Sequence, residues 1–148
     1  MSNYHLAQLN IATLLAPIDS PQLKGFVDNL ERINQLAESS PGYIWRLQSD
    51  EGDATAFRPF GDEILVNLSV WRSLEALKDF VYESAHIDFM RRRQEWFERM
   101  KEAYTVLWWV PEAHQPSLQE AKERLDQLRS EGASQNAFTF GKPFPAPD

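Results

Sequence analysis

The stretch Ile64–Phe97, ILVNLSVWRSLEALKDFVYESAHIDFMRRRQEWF, decides how the rest of the chain is read. Residues 64–71 alternate: Ile64, Val66, Leu68 and Val70 form an apolar face, and Leu65, Asn67, Ser69 and Trp71 form the other. That period of two is the pattern of a strand. Ser73 then stands as a helix N-cap, with Glu75 in the first turn, where the helix dipole favours negative charge. The helix is expected to run to about Tyr82, to kink or restart near Ser84, and to continue from His86 to about Met100. On that continuation His86, Phe89 or Met90, Arg93, and Trp96 or Phe97 recur at three- and four-residue steps and share one face.

Outward from this stretch, Tyr4–Ala12 also alternates. His5, Ala7, Leu9 and Ile11 lie on an apolar face; Tyr4, Leu6, Gln8, Asn10 and Ala12 lie on a mixed one. Ser20-Pro21 reads as N-cap and first helical residue of an amphipathic helix over 21–38, ended by Ser39-Ser40-Pro41-Gly42. Tyr43–Gln48 is a second strand, followed by a turn over 50–53. Residues 54–63, broken by Pro59 and Gly61, read either as a hairpin arm or as an irregular loop. Thr105–Val110 is the fourth strand, stopped by Pro111. Ser117 and Glu120 form a capping box for a helix carrying a narrow stripe of Leu118, Ala121, Leu125 and Leu128, ended by Gly132. The rest of that helix is charged, which places it on the outside. In the tail 136–148, Phe138 and Phe140 suit a short edge strand.

The order β-α-β-β-α-β predicts an α+β fold, a ferredoxin-like antiparallel sheet with an extra C-terminal helix. The domain is single over 1–148, with its core at about 4–110 and the helix and tail at 117–148. In this arrangement the two crossover helices cover one face of the sheet, and the other face needs cover or must be polar. Trp45 against Ile44, Trp108 against Trp109, and Trp71 against Val70 put large side chains on both faces. Back-to-back pairing of two sheets in a homodimer is therefore expected.

Composition narrows the function classes. The 148 residues suffice for one buried core. A formal charge of −7 argues against a nucleic-acid surface. With no cysteine, disulfides, thiolate zinc sites and cysteine nucleophiles are excluded. No apolar run approaches a membrane span and residues 1–10 carry no signal pattern, so a cytoplasmic domain with no membrane partner is expected. Five tryptophans favour a large apolar cavity or interface.

The first strand, then LVNLSVWRSLEALKDFV, SAH and FMRRRQEWF, resemble the dimeric α/β-barrel superfamily, which includes antibiotic-biosynthesis and haem-degrading monooxygenases. Within it, NLSVW, the His86 and RRRQEWF segments, VLWWVP and the AFTF tail resemble an uncharacterised bacterial family, a domain of unknown function. The resemblance implies a dimeric α/β barrel and oxygenase-like chemistry. Of three positions used by haem-degrading relatives, Asn10 stands at the strand-1 asparagine. Phe80 falls where those relatives have tryptophan, Met90 near their axial histidine, and His86 one helical turn short of it.

His86 and Arg93 are the candidate catalytic pair, the imidazole as proton shuttle and the guanidinium as fixed cation for an anionic or enolic substrate. The competing reading is structural: His86 tethers the helix restart and Arg93 pairs with a carboxylate such as Glu83. Asn10, Asn67, Trp71, Trp96 and Trp109 are candidate substrate-binding residues. Asn67 and Ser69 break the apolar character of the central strand, so they either line a cavity with Asn10 and Gln8 or bond a neighbouring strand. Arg46 is placed similarly. His5 and His114 lie far from His86 in sequence and no HxxxH or HxH spacing occurs, so no metal site is expected. No nucleotide-binding signature occurs. The readings carried forward are a cofactor-independent monooxygenase-like enzyme acting on a small hydrophobic planar molecule, a non-catalytic small-molecule-binding module, and a haem binder through His86.

Overall fold

Alternation along Tyr4–Thr13 gives β1 two buried faces, and it lies between two other strands in a four-stranded antiparallel sheet. The computed structural model describes residues 3–47, 64–83, 92, 95–98 and 103–147. In chain order the remaining elements are α1 (Lys24–Glu38), β2 (Tyr43–Arg46), β3 (Ile64–Trp71), α2 (Leu74–Glu83), β4 (Thr105–Pro111) and α3 (Leu118–Glu131). Strand order is β2-β3-β1-β4 with every pairing antiparallel, the ferredoxin-like arrangement. The loop at 54–63 and the restart near Ser84 lie outside the described residues.

The faces fall as the alternation requires. Ala7, Leu9, Ile11, Val66, Leu68, Val70, Val106, Trp108 and Val110 share one face. Leu6, Gln8, Asn10, Asn67, Ser69, Trp71, Thr105, Leu107 and Trp109 share the other, which lies beneath α1 and α2. Ser73 caps α2, its hydroxyl accepting from the Ala76 N–H at 3.1 Å. Ser20 does not cap α1: Pro21–Leu23 makes a separate tight helical turn, and the buried Ser20 hydroxyl has no partner among the described residues. Gly42, between α1 and β2, holds a left-handed φ of +87°. A side chain there would run into the Ala76 methyl.

Two expectations change. The last helix does lie on the outside with its charged side exposed, but its apolar stripe covers the sheet face that was expected to be bare. Ala121, Leu125 and Leu128 of α3 pack on the all-apolar face, burying Trp108 completely (0% exposed). The Ser117 hydroxyl accepts from the Glu120 N–H at 3.0 Å, as a capping box requires. The Glu120 carboxylate, however, turns to the sheet: Oε2 accepts from the Trp108 indole at 2.8 Å and Oε1 lies 2.7 Å from His114 Nε2. The apolar surface that suggested back-to-back pairing is thus covered within the chain. A second copy would meet α3 rather than bare sheet.

The second change concerns the helix expected over His86–Met100. Residues 96–98 are not on a helix: Phe97 forms an antiparallel bridge with Leu14. The Leu15 N–H donates to Trp96 O at 2.9 Å and the Glu98 N–H to Thr13 O at 2.8 Å. Burial of aromatic area explains it. Trp96 (1% exposed) sits in a cluster with Leu14, Leu23, Phe26 and Leu65, and the Phe26 ring lies 5.7 Å from it and 5.0 Å from Phe97.

Candidate functional site

The strand register puts two polar rungs side by side in mid-sheet on the face below α1. In one, Asn67, Asn10 and Thr105 lie opposite one another; in the next, Arg46, Ser69 and Gln8 do so. An apolar rung of Trp71, Leu6 and Trp109 follows at one end and Leu65 with Ala12 at the other. Above the polar rungs is a cavity of about 480 Å³, roofed by Phe26, Leu30, Ile33 and Asn34 of α1 and walled by Phe80, Trp96 and Phe97. Thr139, Phe140 and Gly141 of the tail close one side.

Mid-sheet polar groups must find partners or solvent. Gln8 Nε2 donates to Asn67 Oδ1 at 2.6 Å and Ser69 Oγ at 2.9 Å, with a longer contact to Asn67 O at 3.3 Å. The Trp71 indole N–H also donates to Ser69 Oγ, at 2.9 Å. Asn10 Nδ2 donates to Thr105 Oγ1 at 2.8 Å. Trp71 is held from both sides, by the Phe80 ring stacked at 5.2 Å and the Tyr43 ring edge-on at 5.7 Å. Burial, reinforced by the Glu38 carboxylate and partly offset by Arg46, raises the Tyr43 phenol above its ordinary value, so it stays neutral at the wall. Arg46 is largely buried (12% exposed), with its Nη2 3.3 Å from Glu38 Oε1.

Asn10, Asn67, Trp71 and Trp96 therefore border one cavity. Trp109 does not. Its indole donates to Phe144 O at 2.9 Å and its ring packs on Phe138, beneath the C-terminal tail. Phe138 exchanges two 2.8 Å backbone bonds with Leu107 on the free edge of β4, the short edge pairing expected of the tail. His86 and Arg93 lie outside the described residues, as do Met90 and the other arginines of that run except Arg92. Arg92 stacks 4.8 Å from the Trp96 ring and pairs with Glu95 at 3.0 Å. The single-face grouping of His86 and Arg93 with Trp96 or Phe97 loses its basis, because Trp96 and Phe97 are not helical. Thr105 and Tyr43 were not singled out from sequence. Their signal was positional, a strand residue of the same parity as Asn10 or Trp71. Among the described residues no three His, Asp or Glu side chains converge as a metal site, and no helix is long and apolar enough to cross a membrane.

A ferredoxin-like sheet with two helices roofing a polar-floored cavity and a third on the opposite face defines the class of this protein. It belongs to the family described as a domain of unknown function, DUF3291, whose model matches residues 5–148. No curated protein matches it. Among solved structures it is similar in fold to PA3566 of Pseudomonas aeruginosa, with 11% identity, a TM-score of 0.51, and coverage of 77% of this chain and 99% of that one. Two Nitrosomonas europaea structures each cover 79% of this chain and 97% of theirs. NE2512, of unknown function, has 12% identity and a TM-score of 0.48; a protein provisionally named an antibiotic biosynthesis monooxygenase has 10% and 0.49.

Proposed function

We propose that the chain binds a small, planar, largely apolar molecule in the cavity between the sheet and α1, and acts on it as a cofactor-independent monooxygenase. The observation that carries this reading is the pair of polar rungs set into an otherwise apolar, roofed cavity. Apolar walls favour the ligand by burial, and a few convergent polar groups fix its orientation. In this reading the substrate is itself the reductant of dioxygen. Trp71, Asn10 and Asn67 orient it, while His86 and Arg93 supply proton and charge. The reading draws on the resemblance to antibiotic-biosynthesis monooxygenases as well as on the cavity.

A second reading, a binding module without catalysis, is favoured by one observation. Gln8, Asn67, Ser69 and Trp71 already bond one another in a fixed network, which suits a rigid floor. Fluorescence of N-phenyl-1-naphthylamine, a neutral planar probe, tests the cavity: wild type should enhance it, and Asn67→Trp, which fills the floor, should abolish the enhancement. Oxygen uptake with 1,4-naphthohydroquinone tests the chemistry. Uptake lost in His86→Ala with probe binding retained is the expected result; binding without uptake in wild type selects the binding module. Self-association belongs to the same proposal, and light scattering at twice 17.1 kDa is its mark.

A further inference from the structure

We infer that the ligand of this cavity carries a carboxylate, received by Arg46 and Ser69 on one rung of the sheet. This rests on the reading of the cavity as a binding site and adds the chemical class of what enters it.

Arg46 and Ser69 are direct cross-strand partners of β2 and β3, and both border the cavity. Side chains so paired have Cβ atoms about 5 Å apart on the same face, close enough to share one small anionic group. The hydrogen-bond inventory of Ser69 then decides what it offers. Its Oγ accepts from Gln8 Nε2 and from Trp71 Nε1, both at 2.9 Å. A hydroxyl has two lone pairs and one hydrogen. Both lone pairs are taken, so what remains is an O–H donor, with no acceptor among the described residues. A ligand oxygen that accepts is the complementary group.

The guanidinium is under-used in the same way. It has five N–H donors; among the described residues Glu38 takes one, through a single 3.3 Å contact, and the buried Nε has no partner. Glu38 itself is more than a third exposed (38%). A poorly neutralised cation on a mostly buried side chain favours a second anion beside it. Guanidinium and carboxylate match in planar geometry. The other floor groups fit a carboxylate-bearing planar molecule as well: the stacked Trp71 and Phe80 rings border the apolar side, and Asn67 keeps its amide N–H groups after its oxygen is taken by Gln8.

The experiment displaces bound N-phenyl-1-naphthylamine with 2-naphthoate and with the isosteric, uncharged 2-naphthamide. Wild type should release the probe at least tenfold more readily to the acid than to the amide, the difference a charge-assisted hydrogen bond makes. Arg46→Gln should erase that preference, so that the acid and the amide displace the probe equally well whatever the variant's own affinity for it. Glu38→Gln, which frees Arg46 from its carboxylate, should increase the preference several-fold, and it serves as the deciding variant if Arg46→Gln does not fold. Equal displacement by acid and amide in wild type overturns the inference while leaving the cavity in place. So does a preference that survives Arg46→Gln. Failure of wild type to bind the neutral probe at all refutes the cavity reading itself.

Discussion

Leu125→Ala tests whether α3 is the cover of the sheet or an ornament on it. Leu125 is fully buried (0% exposed) among Ala121, Leu128 and the apolar face of the sheet. Removing its isobutyl group forfeits the transfer free energy of the lost atoms and leaves a cavity that its strand-bound neighbours cannot collapse to fill. The loss should be about 3 to 4 kcal/mol. For a domain of this length that corresponds to a fall in Tm of about 10 °C. Asp126→Ala, one residue on and exposed, is the control and should stay within about 0.5 kcal/mol. Urea unfolding followed by far-ultraviolet circular dichroism and by tryptophan fluorescence measures both, since Trp108 lies in the same cluster. A loss below about 1 kcal/mol for Leu125→Ala would refute the docking of α3, and the second face of the sheet would again need a partner.

Three further outcomes follow from single contacts. Glu120→Ala strands the buried Trp108 indole N–H and should cost about 1 to 3 kcal/mol by urea unfolding, whereas Glu120→Gln keeps an acceptor and should cost less. Gly42→Ala should destabilise by at least about 2 kcal/mol, because it adds a left-handed penalty to a collision with Ala76; a neutral result in thermal denaturation would contradict that turn. The Tyr43 phenol is raised on folding by burial and Glu38, so the folded state holds its proton more tightly than the unfolded one. Stability should therefore be intact below the ordinary phenol range, near pH 10, and decline as pH rises from there through the folded value. Alkaline unfolding of Tyr43→Phe should lack that contribution, and ultraviolet titration should lose one tyrosinate step raised above the ordinary phenol range.

Strand parity was legible because it depends on neighbours one and two residues apart. The split of Tyr4–Thr13 into an apolar face and a mixed face is written in the chain, as is the break that Asn67 and Ser69 make in the central strand, and both reappear in the sheet. Helix caps were legible where a side chain reaches its own first turn, at Ser73 and Ser117, and not at Ser20, where Pro21–Leu23 forms a separate turn. Trp96 and Phe97 misled. Their spacing fits a helix face, but burial against Phe26 and Leu14 outweighs a local preference worth a few tenths of a kcal/mol per residue. Trp109 misled for a related reason: its indole donates to the tail carbonyl of Phe144, and the ring packs on Phe138 rather than lining the cavity.

Local pattern alone determined the four strands of the sheet, the helices over 24–38, 74–83 and 118–131, and which residues of each strand share a face, because these follow from backbone geometry and side-chain alternation. What only the tertiary structure decided is what lies on each face. A stripe of Leu and Ala on α3 names no partner, and only the folded chain places Trp108 beneath it and Glu120 on that indole. Likewise Arg46 and Ser69 are 23 positions apart, and nothing short of the β2–β3 register makes them neighbours on the floor of one cavity.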